Sequence, residues 1–276
     1  IGFKDLINKR TSPYDDNGHG THVAGIIAGN GYSSRGKYAG IAPESKILAI
    51  KALDSEGSGN TSNIIAAISY VVETKNQYNT KILNLSVGSP ANNSCKNDPL
   101  CKAVTEAVNS GITVVVAAGN SGDDKRTIDP KDDVIAPFSS RGPTNEGLIK
   151  PDVVAPGVNI NSLSNTKLDG YLALSGTSMA TPLISGSAAL LLNKHGNLSP
   201  KSVKQKLMGS CVDLHESKEI QGAGLLNLQK LFFEPSKEKA NGVDKEGRKR
   251  HSFFGDEIFE TLLILVLVML LLDQNI

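Results

Sequence analysis

Three strand-length apolar runs, each closed by turn-forming residues and separated by segments of helical period, restrict what this chain can build more than any other feature. The runs occupy residues 47–53, 81–87 and 112–118, and they end in Asp54-Ser55-Glu56-Gly57-Ser58-Gly59, Gly88-Ser89-Pro90 and Gly119-Asn120-Ser121-Gly122. Between the first two, residues 61–74 put Ile64, Ile65, Ile68 and Val71 or Val72 on one side of a helix. Between the second and third, Asp98 caps a helix with Pro99 at its first position, carrying Val104 and Ala107 and stopped by Gly111. Continuous rather than alternating apolarity marks strands buried on both faces. Alternation of such strands with helices predicts an α/β architecture with a mostly parallel sheet covered on both sides. Ligands of such sheets bind beyond the carboxyl ends of the strands, so the turns are where function is to be sought.

A second kind of helix start carries chemistry. In Leu174-Ser175-Gly176-Thr177-Ser178-Met179-Ala180-Thr181-Pro182, small residues deliver the Ser178 hydroxyl to the first turn of an apolar helix that runs through Leu183, Ile184, Ala188 and Leu190 to Leu192 and stops at Gly196. Taken alone this is an ordinary Ser/Thr cap on a core helix. A nucleophilic serine needs a base and donors for an oxyanion, and the chain offers both. His19 opens the small-residue helix of His19-Gly20-Thr21-His22-Val23-Ala24-Gly25, exposed at its first turn, while His22 reads as structural. Asn120, at the end of the third apolar run, can offer an amide at the sheet edge, although Asn is also a common turn residue. Gly57-Ser58-Gly59 and Ser86-Val87-Gly88 can present bare backbone to an extended peptide. A phosphate-cradling role for Gly57-Ser58-Gly59 is disfavoured because no lysine of that pattern follows.

With 39% apolar residues among 276, the chain is long enough for one large, well-buried domain, and a net charge of +1 implies neither a nucleic-acid partner nor an acidic one. Cys95, Cys101 and Cys211 cannot all pair within the chain, and no metal-ligand spacing joins them to the histidines. Ile1 in place of Met points to processing or truncation at the start.

The blocks His19-Gly20-Thr21-His22-Val23-Ala24-Gly25, Val116-Ala117-Ala118-Gly119-Asn120 and Ser175-Gly176-Thr177-Ser178-Met179-Ala180-Thr181-Pro182 together resemble the subtilase (subtilisin-like serine protease) family over residues 13–230. The wording around Gly40-Ile41-Ala42-Pro43 and Phe138-Ser139-Ser140-Arg141-Gly142-Pro143 is similar to the alkaline-protease branch found inside bacterial cells, which implies the bacterial cytoplasm, with a membrane-associated location as the alternative that the C-terminal apolar run raises. The resemblance implies a three-layer subtilisin-like fold, polypeptide substrates, and peptide-bond hydrolysis with Ser178 attacking, His19 as general base and Asn120 in the oxyanion hole. It also implies that Gly57, Ser58, Gly59, Ser86, Val87 and Gly88 flank the substrate backbone, that Ala117, Ala118 and Gly119 wall the specificity pocket, and that structural calcium is possible. No metal is expected among the site residues. Residues 1–230 are then the peptidase domain.

Two departures matter. The family carries its triad aspartate in a strand-end block well before the histidine, and no such block precedes His19; Asp5, Asp15 and Asp16 are the upstream carboxylates and none lies where the family places it. The sequence therefore predicts a sheet lacking its N-terminal strand, an incomplete triad, little or no proteolysis, and, as the alternative function, a peptide-binding pseudoprotease. Between Asn120 and Phe138 a charged segment replaces the longer stretch the family usually has. Residues 231–257 read as a charged linker with Arg248-Lys249-Arg250, and residues 258–272 as a short apolar helix of about 22 Å. That is short against a hydrocarbon core of about 30 Å, which leaves membrane contact and docking on protein as alternatives.

Overall fold

The computed structural model describes residues 2–88, 95, 97–122, 135–166 and 170–233, together with the backbone of 264–269. The elements are β1 (Gly2–Asp5), α1 (His19–Ala28), β2 (Lys46–Lys51), α2 (Thr61–Tyr78), β3 (Thr80–Leu85), α3 (Pro99–Asn109), β4 (Thr113–Val116), β5 (Ile160–Leu163), β6 (Tyr171–Leu174), α4 (Thr177–His195), α5 (Pro200–Gly209), α6 (Lys218–Gln221), α7 (Leu228–Phe232) and β7 (Ile264–Met269). Five strands form one parallel sheet in the order β1-β2-β7-β3-β4, and β5 and β6 make a separate antiparallel pair.

Local chemistry sets the helix ends as the sequence predicts. The Asp98 carboxylate accepts from the Leu100 amide at 2.7 Å, with Pro99 at the first helical position of α3. Gly196, at φ +70°, ends α4 and donates its N–H to Leu192 O at 2.8 Å. Helix α2 outruns its expected end at residue 74 because its stop is Asn79, one of the few non-glycine residues that tolerate a left-handed conformation, here at φ 49°.

Two apolar layers sandwich the sheet. Leu48, Ile50, Leu83 and Leu85 pack against Ile64, Ala67, Ile68 and Val71 of α2 and Ala103 and Ala107 of α3. On the other face, Ile82 joins Val23, Ile26 and Ile27 of α1 and Ile184, Ala188 and Leu191 of α4. The result is the three-layer α/β subtilisin-like arrangement that the sequence predicts.

Outside the three apolar runs, residues 2–5 form the edge strand β1, paired from Gly2↔Leu48 to Asp5↔Lys51. One local expectation is corrected. Residues 264–269, read as part of a helix, form β7 instead and lie between β2 and β3. An uninterrupted apolar run has no period, so helix and strand cannot be told apart from it, and a slot between two parallel strands selects the extended form. Among the described residues the sheet runs without a break from β1 to β4, with β7 in its middle position. The charged linker and the remaining residues of 258–272 lie outside the described residues. Among the described residues no helix is long and apolar enough to cross a membrane.

Candidate active site

Ser178 sits in the first turn of α4, half-buried, where the first amides of the helix have no acceptor within it. Ser86, immediately beyond β3, holds it from two sides: the Ser86 hydroxyl donates to Ser178 O at 3.0 Å, and Ser178 Oγ donates to Ser86 O at 3.4 Å. Behind Ser86 a buried polar chain continues into the helix. Asn84 Nδ2 donates to Ser86 Oγ at 3.0 Å, and Ser185 Oγ on α4 donates to Asn84 Oδ1 at 2.7 Å. Asn84 is fully buried, so these bonds are what make an amide tolerable in the middle of a sheet.

Asn120 follows the last strand and is oriented by Thr177. Its Oδ1 accepts from both the Thr177 amide and the Thr177 hydroxyl at 2.9 Å, and Gly119 N donates to that hydroxyl at 3.2 Å. With the oxygen engaged, the NH₂ is the end left to act as a donor. It lies next to Gly176: a Cβ built there would stand 3.4 Å from Asn120 Nδ2, at a φ of +155° that L side chains rarely adopt. Glycine at 176 therefore answers to the backbone conformation beside the amide.

His19 is the first residue of α1, and its helix is anchored by Asp15. The Asp15 carboxylate accepts from Thr21 N at 2.7 Å, Thr21 Oγ1 at 2.6 Å and Gly18 N at 2.8 Å. From the other side, His22 holds α1 to the β5–β6 pair through Nε2, which lies 3.0 Å from Ile160 O and 3.1 Å from Leu172 O and so donates to carbonyls. His22 is structural, as the sequence predicts. His19 itself is more enclosed than the sequence suggests, at 8% exposure, and its Nε2 makes no hydrogen bond. Burial, and to a smaller degree His22, push its pKa down to about 4, while Asp15 pulls upward less strongly.

None of the three upstream carboxylates serves His19. Asp5 accepts from Ile7 N, Asn8 N, Arg10 N and Tyr14 Oη. Asp15 is the anchor just described, and Asp16 pairs with the buried Lys51 ammonium at 2.5 Å. Each is committed to the loops that lead into α1.

The expected substrate-flanking residues follow the strand ends. Gly57, at φ +77°, turns the loop after β2, with Gly57 N donating to Asp54 O at 3.2 Å and Asp54 N to Ser58 O at 3.0 Å. Gly59 abuts Ala52 and Leu53 so closely that a Cβ would overlap Leu53. Val87 is buried and Gly88 half-buried, directly after Ser86. Ala117 N donates to Leu85 O at 3.0 Å, Ala118 is exposed, and Gly119 O accepts from Ser140 N at 2.9 Å. The charged segment at 123–134 lies outside the described residues.

Ser178 and His19 lie in the first turns of two helices, and Asn120 follows a strand. The description of the Subtilase family matches residues 4–224. The chain belongs to the subtilase family. Among relatives, serine protease AprX of Bacillus subtilis (strain 168) is 41% identical over 83% of this chain, which spans 61% of the relative's length. Subtilisin DY of Bacillus licheniformis is 36% identical over 83% of the chain and 82% of its own. Of solved structures, sphericase superposes with a TM-score of 0.71 at 31% identity, covering 83% of this chain and 85% of the other. A cold-adapted subtilisin-like serine proteinase gives 0.63 at 30% identity, covering 82% and 79%.

Thr177, Asp15, Asn84 and Ser185 support the site but went unpredicted. Thr177 stands beside Ser178, and Asp15 precedes a helix start in a turn-rich stretch, so both had local signals. Asn84 and Ser185 meet only across the sheet. For structural calcium, the described residues contain no group of three or more His, Cys, Asp or Glu placed to hold a metal ion.

Proposed function

We propose that this subtilase is a serine endopeptidase acting on polypeptides through an acyl-enzyme on Ser178. The Ser178 oxygen adds to the scissile carbonyl carbon while its proton passes to His19 Nε2. The carbonyl oxygen becomes an oxyanion, stabilised by Asn120 Nδ2 and the Ser178 amide. The C–N bond then breaks, the leaving amine takes the proton from His19, and water repeats the sequence to release the acid and restore Ser178. The backbone at Gly57–Gly59 and Ser86–Gly88 pairs with the extended substrate, and Ala117–Gly119 lines the pocket for the residue before the scissile bond. The observation that carries this reading is the Asn120 amide locked by Thr177 beside Ser178, since a mere helix cap has no use for it.

His19 favours a second reading. With Asp5, Asp15 and Asp16 hydrogen-bonded elsewhere, none of them bonds to the imidazole, and burial outweighs the upward pull of Asp15 on its pKa, which suits a cleft that binds peptides and turns them over slowly or not at all. A fluorophosphonate probe separates the two. The endopeptidase reading predicts covalent labelling of the full chain that Ser178→Ala abolishes; peptide binding without any labelling would establish the pseudoprotease.

A further inference from the structure

Helix α3 starts at Asp98-Pro99, and that start brings two cysteines together. Pro99 fixes the first helical position and the Asp98 carboxylate accepts from Leu100 N and Cys101 N, so Cys101 stands in the first turn of the helix. Helical side chains lean toward the amino-terminal end, which aims Cys101 Sγ at the residues before the helix. Cys95 is there, its Cα 5.3 Å from that of Cys101, and the two form a disulfide across six positions. Glu146 holds Cys95 a second time, its carboxylate accepting from Cys95 N at 2.6 Å, so residue 95 has an anchor that does not depend on the sulfur bond.

The two cysteines are unequally placed. Cys95 is exposed and Cys101 half-buried. An open groove of about 470 Å³ reaches the bridge, lined by Cys95, Lys102, Thr105, Glu106 and Asn109. Lys102 offers a cation to a carboxylate and Glu106 an anion to an ammonium, and a glutathione-like thiol carries both complements. Exchange requires a thiolate to reach a sulfur of the bridge, so an exposed disulfide is the labile kind. Cys211 is the contrast: it donates to Leu207 O at 3.3 Å, and burial pushes its pKa up to about 11, which keeps it a protonated thiol.

We propose that Cys95 and Cys101 form a thiol–disulfide exchange site for a small carboxylate-bearing thiol of the glutathione class, with Cys95 as the sulfur that is attacked. The incoming thiolate bonds to Cys95 Sγ, the Cys95–Cys101 bond breaks, and its electron pair leaves on Cys101 Sγ, which takes up the proton that the incoming thiol gave up. A second thiol attacks the bound one, leaving Cys95 as a thiol and releasing the small molecule as its own disulfide. In the reverse direction the oxidised small molecule closes the bridge, and the Glu146 bond keeps Cys95 beside Cys101. The first-turn amides and Lys102 favour a thiolate on Cys101 while Asp98 and Glu106 oppose it, so access rather than charge selects Cys95. Neither step uses Ser178 or His19, and no activity assay is needed to follow it.

Thiol counting tests the site in the native full chain. Equilibration in glutathione buffers of graded reduced-to-oxidised ratio, then acid quench, alkylation and peptide mass spectrometry, should show Cys95 and Cys101 opening and closing together and reversibly, with circular dichroism unchanged and Cys211 a free thiol throughout. A bridge that stays closed at every ratio until urea unfolds the protein, or cysteines that stay reduced at every ratio, would overturn the proposal. Single variants locate the attack. With oxidised glutathione, Cys101→Ser should gain one glutathione on Cys95, and Cys95→Ser should gain none on Cys101; glutathione on Cys101, or none on Cys95, would overturn the choice of sulfur. Should a variant fail to fold, the ratio series on the parent decides alone.

Discussion

Ser178 and Asn120 are tied to the fold by hydrogen bonds, whereas the ring of His19 is placed by its helix and given no bond at Nε2. Thr177 fixes one, the chain Ser185–Asn84–Ser86 fixes the other, and both arise from segments that β3, β4 and α4 bring together. On the His19 side, Asp15 and His22 hold the helix firmly, yet the imidazole has no partner on Nε2 and no carboxylate among those upstream. The nucleophile and oxyanion half of the site is thus preorganised, and the base half is positioned without being electrostatically equipped. Position follows from packing, which the layers supply; equipment needs one particular charged group in one place.

The largest expected effect comes from supplying that group. An N-terminal extension carrying an apolar strand that ends in aspartate, in place of the C-terminal run, should raise kcat about 10⁴-fold, the size of the carboxylate's effect in serine proteases generally. An extended enzyme that folds and is no faster would show that the two halves are already matched. Turnover in the unextended chain that falls by a similar factor in Asp273→Asn would instead trace the carboxylate to the C-terminal run, since Asp273 is the first one after β7 in the sequence.

Asn120→Ala probes the other half. It should lower kcat by about 10² to 10³ with KM nearly unchanged, a magnitude taken over from the oxyanion-hole asparagine of subtilisin, a relative of this chain. A matching rise in KM would mark Asn120 as a group that binds the ground state.

The lowered pKa of His19 makes a prediction about pH. Folded His19 titrates at about 4 against the ordinary 6.5, so between those values the unfolded chain binds a proton that the folded one does not. Stability linked to His19 is therefore fully present above pH 6.5 and is lost as pH falls to 4, by about 3 kcal/mol in all. Urea unfolding of the parent and of His19→Ala from pH 4 to 7.5 should show the difference between them changing across that window. A constant difference would mean that His19 keeps its ordinary pKa in the fold, and a change of the opposite sign would mean that a carboxylate already holds it protonated.

The smallest effect concerns the support beneath Ser178. Ser185→Ala leaves buried Asn84 Oδ1 without its donor and should cost about 1 to 3 kcal/mol in urea unfolding, with kcat reduced modestly through Ser86. No loss of stability would show that the chain Ser185–Asn84–Ser86 does not brace the nucleophile.

What the residues determined unaided were the features written within a few positions of one another. The apolar runs at 47–53, 81–87 and 112–118, the Asp98-Pro99 start, the Gly196 stop and the three family blocks specified the layers and the candidates Ser178, His19 and Asn120, because periodicity, capping and turn chemistry are local. Tertiary structure decided the rest. Asn84 and Ser185 are 101 positions apart and meet only when α4 lies on β3. The anchoring of α1 depends on the carbonyls of Ile160 and Leu172, which His22 reaches from far along the chain. The same holds for β7: its apolar run is equally good as helix or strand, and only the unpaired backbone between β2 and β3 makes it a strand, because hydrogen bonds that cannot be made to water must be made to another chain segment.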